Sequence, residues 1–295
     1  MRSDSSIARS SFPGIRSNKP AFLMCPPTKY EVSYVINPWM EGNLGRSSQS
    51  RAMVQWNELY GALSGLASVH LVEPAAGSPD MVFTANAGLA CNGTVVPSKF
   101  HHPERQGEEQ HFRRWFTDSQ LRVVDLPRGT SFEGEGDALF STDGATLWVG
   151  YGARTQQASH AALASLWNVC VESLHLVDPR FYHLDTCFAP LEDGSLLYYP
   201  PAFDAASLER IHAYYKPSSR IVVNESDALS FACNAINVGK AVVLNHISME
   251  LQHALRARGF EVIQLALDEF LKAGGAAKCL VMKLPPAQTL NTPAY

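Results

Sequence analysis

The chain has 295 residues, 46% hydrophobic and 18% charged, a globular composition sized for one large domain or two small ones. A net charge of −4 without an arginine-rich stripe excludes a nucleic-acid binder, and no run of about eighteen apolar residues exists to cross a membrane. Cysteines at 25, 91, 170, 187, 233 and 279 form no CxxC, which excludes a zinc ribbon or thioredoxin motif and reads as free thiols in a reducing compartment, the cytoplasm.

In chain order, residues 1–20 (MRSDSSIARSSFPGIRSNKP) are expected to form a flexible tail. Their Ser and Arg content also resembles a short transit peptide, which leaves an organellar location open. A single α/β domain is expected over 21–286, with a second tail over 287–295. Strand-like apolar runs then recur, each opened by unusual polar residues. They are FTANAGLA from Phe83, FEGEGDALF from Phe132, YHLDTCFAPL from Tyr182, ACNAINVG from Ala232 and KCLVMKLP from Lys278. Their starts lie 46 to 50 residues apart, the mark of a repeated supersecondary unit.

Second strands are expected at TLWVGYG (146–152) and SLLYYPPAF (195–203), each after a DG turn. Residues 156–169 and 248–259 read as amphipathic helices, the latter stopping at Gly259. Short strands at 221–224 and 260–265 follow helices. The unit is therefore strand, strand, helix, strand (ββαβ), repeated about five times in an α/β fold. In the third run, period-two alternation puts His183, Asp185 and Cys187 on one face, with Leu184 and Thr186 on the other.

Placed radially, five such units bring Asn86, Glu133 with Asp137, His183 with Asp185, Asn234 with Asn237, and Cys279 to a shared central pocket. The residue types suit covalent catalysis. Cys279 can attack as a thiolate, and a nearby cation favours that form. His183 can give a proton to a leaving amine and take one from water, with Glu133 orienting it. Asp137 and Asp185 are acceptors matched to a planar cation such as a guanidinium. A papain-like protease is set aside because Cys25 precedes Pro26-Pro27 and cannot open a helix comfortably. His183, Asp185 and Cys187 lack a second ligand cluster, so no metal is expected.

CPPTKYEVSYVINPWME (25–41), PDMVFTANAGL (79–89), FEGEGDALF, YGART (151–155), HLDTCFAPL and the late KCLVMKL resemble the guanidino-group-modifying enzymes, over about residues 22 to 285. That resemblance implies the five-bladed α/β propeller of this superfamily, the pentein fold. INPWM together with FTANAG looks most like arginine dihydrolase, which turns arginine into ornithine, ammonia and carbon dioxide. By the same resemblance Cys279 is the nucleophile, His183 and Glu133 are the acid/base pair, and Asp185 grips the guanidinium. Arg105 and Arg154 match positions that bind the substrate carboxylate, and Asn37 and Asn86 match the pair associated with a second hydrolysis. The implied partner is a small guanidino substrate, arginine, with no cofactor; a homo-oligomer is left open.

Departures from the pattern keep alternatives open. Deiminases carry a glutamate in a GxSERT stretch where this chain has Ala153. The acid/base carboxylate is therefore Glu133, with Glu135 its competitor. Arg105 lies in the polar loop HHPERQGEEQ, where a solvated surface arginine is the rival reading. A single-step arginine deiminase or dimethylarginine dimethylaminohydrolase is the alternative function, and an amidinotransferase a further one. The ornithine-processing C-terminal domain of some relatives is not expected in the ten residues after Pro285.

Overall fold

The computed structural model describes residues 19–285, so the expected tails lie outside the described residues except for Lys19 and Pro20. Among the described residues, fifteen strands form five separate three-stranded sheets. In each, the first strand pairs antiparallel with the middle one, and the middle strand pairs parallel with the outer one. Four sheets take their strands consecutively: Gly88–Cys91, Thr94–Pro97 and Arg122–Val123; Ala138–Phe140, Thr146–Tyr151 and Cys170–His175; Phe188–Pro190, Leu196–Tyr198 and Arg220–Val222; Ile236–Val238, Ala241–Leu244 and Glu261–Gln264. The remaining sheet joins Met282–Leu284 to Ala21–Met24 and Ser68–Leu71, so the two ends of the described chain close the ring.

Local sequence explains the pattern. A parallel neighbour needs a crossover, and helices Gln49–Leu66, Glu109–Asp118, His160–Trp167, Ala205–Tyr214 and Met249–Ala257 provide it. Ser48, Asp204 and Ser248 cap three of them through side-chain oxygens. Gln49–Leu66 buries Ala52, Gln55, Trp56, Leu59 and Leu63, a stripe at helical spacing. Middle strands such as AVVL at Ala241–Leu244 are buried throughout, because helices cover one side and neighbouring sheets the other.

The expected unit is present, but its boundaries shift; the helix expected over 156–169 spans His160–Trp167 after a 3-10 turn at Gln157–Ser159. SLLYYPPAF is a strand only over Leu196–Tyr198; Pro200 and Pro201 cannot donate to a ladder and form a 3-10 turn instead. More consequentially, the polar openings of the runs are turns. Thr84–Ala87, Gly134–Gly136, Leu184–Thr186 and Lys278–Leu280 are 3-10 turns, and strands begin only at Gly88, Ala138, Phe188 and Met282. Alternation therefore fails at the third run. Cys187 leaves the polar face and packs in an apolar cluster with Trp148, Leu184 and Phe188.

Residues from all five first strands, among them Leu89, Ala138, Phe188, Ile236 and Leu284, line one cavity of about 690 Å³. These strands surround one cavity, and the 3-10 turns that precede them stand at their N-terminal ends.

Candidate active site

Turns, rather than strands, aim the polar side chains. A 3-10 turn has about three residues per revolution, so neighbours two apart diverge. Glu133 and Glu135 show the result. Glu135 accepts from Lys278 Nζ and Lys283 N, both at 2.8 Å, and lines the axial cavity. Glu133 accepts from His183 Nε2 at 2.7 Å, Arg154 Nη1 at 3.2 Å and His101 N at 3.1 Å. Of the two glutamates, Glu133 alone faces the histidine.

The compact pocket at this end is lined by Ile36, Asn37, Met40, Asp80, Phe83, Asn86, Arg105, Arg154, Tyr182, His183, Ala273, Gly274 and Cys279. Its open space is about 10 Å³, the size of one water, so entry of an amino acid requires a wall to move.

Cys279 is 3% exposed, and its thiol donates to Asp185 Oδ2 at 3.4 Å. Burial, then the Asp185 charge, pushes its pKa well above the usual thiol value; bonds from Ala276 and Asn234 pull the other way. Asn234 is wholly buried. Its Nδ2 lies 3.0 Å from Cys279 Sγ and donates to Asp185 O at 3.1 Å, while its Oδ1 accepts from Cys279 N and Ala276 N. The thiol therefore rests protonated, and a cation brought against it would favour the thiolate.

Asp185 has a second oxygen, Oδ1, that is buried without a partner. Burial pushes its carboxyl up to about 7, with Lys278 and the contacts from Cys279 and Asn234 holding it lower than burial alone would. Glu133 goes the opposite way. Burial would raise it, but Arg154 and His183 beside it hold the carboxyl below the usual range. His183 thus faces a fixed anion through Nε2, which leaves Nδ1 as the ring nitrogen near Gly136 and Asn86.

Several expected residues take other places. Asp137, like Glu133 and Asp185, is buried just behind the residues that line the pocket. Its Oδ1 accepts from Leu184 N at 3.1 Å and braces the turn that carries His183 and Asp185. Asn237 bonds Gly239 O and Ala241 O in its own hairpin and does not converge with Asn234. Asn37 reaches the pocket wall, yet its Oδ1 caps Pro38–Met40 through Trp39 N and Met40 N, and its Nδ2 donates to Ala273 O. Arg105 is 3% exposed, which removes the solvated-surface reading. Arg154 lies 4.6 Å over the Tyr182 ring and donates to Ile36 O.

Two residues escaped the sequence reading. Asp80 lines the pocket with Oδ1 buried and unpartnered, while Oδ2 accepts from Tyr34 at 2.9 Å. Its signal was an acid between Pro79 and the apolar Met81-Val82-Phe83. Glu108, fully buried against Arg105, carried no signal, because nothing in HHPERQGEEQ separates it from its exposed neighbours. Among the described residues, no group of three or more His, Cys, Asp or Glu side chains could hold a metal, and no helix is long and apolar enough to cross a membrane.

Residues 38–285 match the family model described as N,N dimethylarginine dimethylhydrolase, eukaryotic. The chain is 54% identical over 262 residues to the bifunctional arginine dihydrolase/ornithine cyclodeaminase ArgZ of Synechocystis sp., covering 89% of this chain and 37% of that protein. It thus spans little more than a third of that relative's length. The N(G),N(G)-dimethylarginine dimethylaminohydrolase of Mycobacterium tuberculosis is 41% identical over 266 residues, 90% of this chain and 86% of that one. The crystal structure of the ArgZ N-terminal domain bound to its substrate superposes with a TM-score of 0.89 at 53% identity, over 90% of this chain and 98% of that one. The five-unit propeller is shared with these structures.

Proposed function

We propose, for a chain that belongs to the dimethylarginine dimethylaminohydrolase family, that it hydrolyses the guanidino group of L-arginine twice at one site. The products are L-ornithine, two ammonia and carbon dioxide. One observation carries the reading: a protonated Cys279 thiol touches a buried carboxylate, Asp185, whose other oxygen has no partner. Such a pair is complementary to an entering guanidinium, which can donate N–H bonds to Asp185 and electrostatically favour loss of the thiol proton.

The steps follow from the geometry. Cys279 Sγ forms a bond to the guanidinium carbon. His183, steadied by Glu133, gives a proton to the departing nitrogen, and ammonia leaves. His183 then takes a proton from water, whose oxygen bonds to the same carbon as the C–S bond breaks. The ureido product, citrulline, is neutral and loses the charge-assisted grip of Asp185. Asn86 at the pocket wall supplies a neutral hydrogen-bonding group for it, so a second attack can follow. That round expels ammonia or the ornithine amine, and water cleaves the resulting thiocarbamate with loss of carbon dioxide. Arg154 and Arg105 stand as candidates for the carboxylate, and the unpartnered Asp80 oxygen suits the α-ammonium.

The reading includes one catalytic domain over 21–286 and a reducing, cytoplasmic setting in which the thiol stays free. Relatives support the chemistry by name: ArgZ is an arginine dihydrolase, and a form of its N-terminal domain has been crystallised covalently bound to a reaction intermediate. The match to a dimethylarginine dimethylaminohydrolase supports a second reading, a single hydrolysis of a methylated arginine. A product count separates them. Two ammonia per ornithine with little citrulline supports two rounds; one ammonia per citrulline, or methylamine from a methylated substrate, supports one.

A further inference from the structure

We infer that the buried Arg105–Glu108 pair fixes which way the Asn86 amide faces, presenting its NH2 to the reacting group and thereby retaining the ureido intermediate. This rests on the two-round reading above and names the device that makes the second round occur.

A guanidinium has five N–H donors and no acceptor. In Arg105, Nε and Nη2 fork onto Glu108 Oε1 and Oε2 at 3.0 and 2.8 Å. Nη2 also donates to Asp80 O at 3.1 Å, and Nη1 donates to Asn86 Oδ1 at 2.9 Å. Four of the five N–H groups therefore have partners within the protein. The fork removes the rotational freedom of a long side chain, because planar guanidinium and planar carboxylate meet in one geometry only.

The consequence falls on Asn86. Oxygen and nitrogen of an amide are told apart by their partners. Arg105 can only donate, so the atom facing it is Oδ1. Nδ2 is then turned the other way, 3.4 Å from Glu133 O, at the wall shared with His183 and Cys279. One N–H of that NH2 donates to Glu133 O, and the other is left as a donor for a group bound in the pocket. A guanidinium offers only N–H in its plane and gains nothing from it, whereas a ureido group offers a carbonyl oxygen. The lock thus discriminates in favour of citrulline over arginine at this one position, and it does so from outside the pocket: Glu108 is fully buried and does not line it. Arg105 keeps a single N–H for other partners, so it can meet a substrate carboxylate through one bond and not as a fork.

The test is the partition of product, citrulline released per ornithine formed, normalised to reactive Cys279 so that poorly folded enzyme does not count. Glu108→Gln replaces one fork oxygen by an NH2 that faces another donor, which frees Arg105 and lets the Asn86 amide turn. Losing one hydrogen bond to the intermediate predicts a rise of about tenfold in the partition ratio, and a fall in turnover of added citrulline larger than that of arginine. Glu108→Asp keeps the anion but draws it back by one methylene from the fork, and is expected to give a smaller rise in the partition ratio than Glu108→Gln. If Glu108→Gln does not fold, Arg105→Lys carries the test, since an ammonium cannot span both Glu108 and Asn86. A raised KM for arginine with unchanged partition would make Arg105 a carboxylate clamp and overturn the inference. Wild-type enzyme that releases only citrulline would overturn the two-round reading itself, whatever the variants do.

Discussion

Replacing Asp185 by asparagine should stabilise the protein while abolishing turnover. The Asp185 carboxyl is 1% exposed, leaves Oδ1 without a partner, and has its pKa raised from 3.8 to about 7. Burial is the main cause, and Lys278 offsets only part of it. Between those two pH values the folded state binds the proton and the unfolded chain does not, so stability falls as pH rises through this window. The difference of about three, at about 1.4 kcal/mol for each, amounts to about 4 kcal/mol above pH 7. The new amide leaves a buried group to be partnered, which returns about 1 kcal/mol of it. A net gain of about 3 kcal/mol is expected at pH 8 in denaturant unfolding, shrinking toward zero or below near pH 4. Arginine should raise the unfolding midpoint of a Cys279→Ser protein and lose that effect when Asp185→Asn is added. An Asp185→Asn protein no more stable than wild type at pH 8, or a gain independent of pH, would refute the claim that this carboxylate is held at a cost for a cationic ligand.

Glu133→Gln should reduce kcat/KM by roughly 10²–10⁴, the range for a general acid/base partnership. It should also destabilise the fold by about 3–5 kcal/mol at neutral pH, because Arg154 stays buried without its anion. The Glu133 carboxyl is held below its usual range, so its contribution to stability is present above pH 4.5 and is lost as pH falls; unfolding curves of the two proteins should converge in acid. Asn234→Ala removes a donor to Cys279 Sγ and the acceptor of two backbone N–H groups, so alkylation of Cys279 should require higher pH than in wild type. An unchanged pH midpoint for alkylation would count against a role for Asn234 in poising the thiol. Gly136→Ala would place a methyl on Asn86 Nδ2 and 3.3 Å from His183 Nδ1, so activity should fall and the citrulline fraction rise, at an overpacking cost of about 1–3 kcal/mol.

Repetition made the fold legible. The spacing of Phe83, Phe132, Tyr182, Ala232 and Lys278 marks five units, and five sheets of like topology are present. Periodicity of two was the wrong ruler for the site, because the polar residues precede the strands in 3-10 turns. It grouped Cys187 with His183 and Asp185, although Cys187 belongs to the core. Asn237, read beside Asn234, sits apart in its own hairpin. Their shared register in the repeat marked Cys279, His183, Glu133, Asp185 and Asn86, each ionisable or amidic beside an apolar strand, and the family resemblance supplied their roles. Asp80 acts through Tyr34, 46 residues away along the chain, and no local pattern encodes that pair; Glu108 meets Arg105 only three residues away, but nothing in the polar run HHPERQGEEQ marks the two as buried.

The choice between Glu133 and Glu135 shows how closely the site and the ring closure are joined. Gly134 has φ of +59°, and a Cβ there would lie 2.6 Å from Gly88 O, so the turn between the glutamates requires glycine. That turn sends Glu133 to His183 and Glu135 to the closing segment, where it holds Lys278 Nζ and Lys283 N. Lys278 precedes the nucleophile, and Lys283 lies in the strand that pairs with Phe22. The Thr84 hydroxyl, two residues before Asn86, lies 2.8 Å from both Leu23 O and Leu280 O. Cys279 is therefore placed by a segment whose only strand pairing is with the start of the described chain. Opening that seam would displace the nucleophile while the acid/base pair, held between the second and third units, stayed intact.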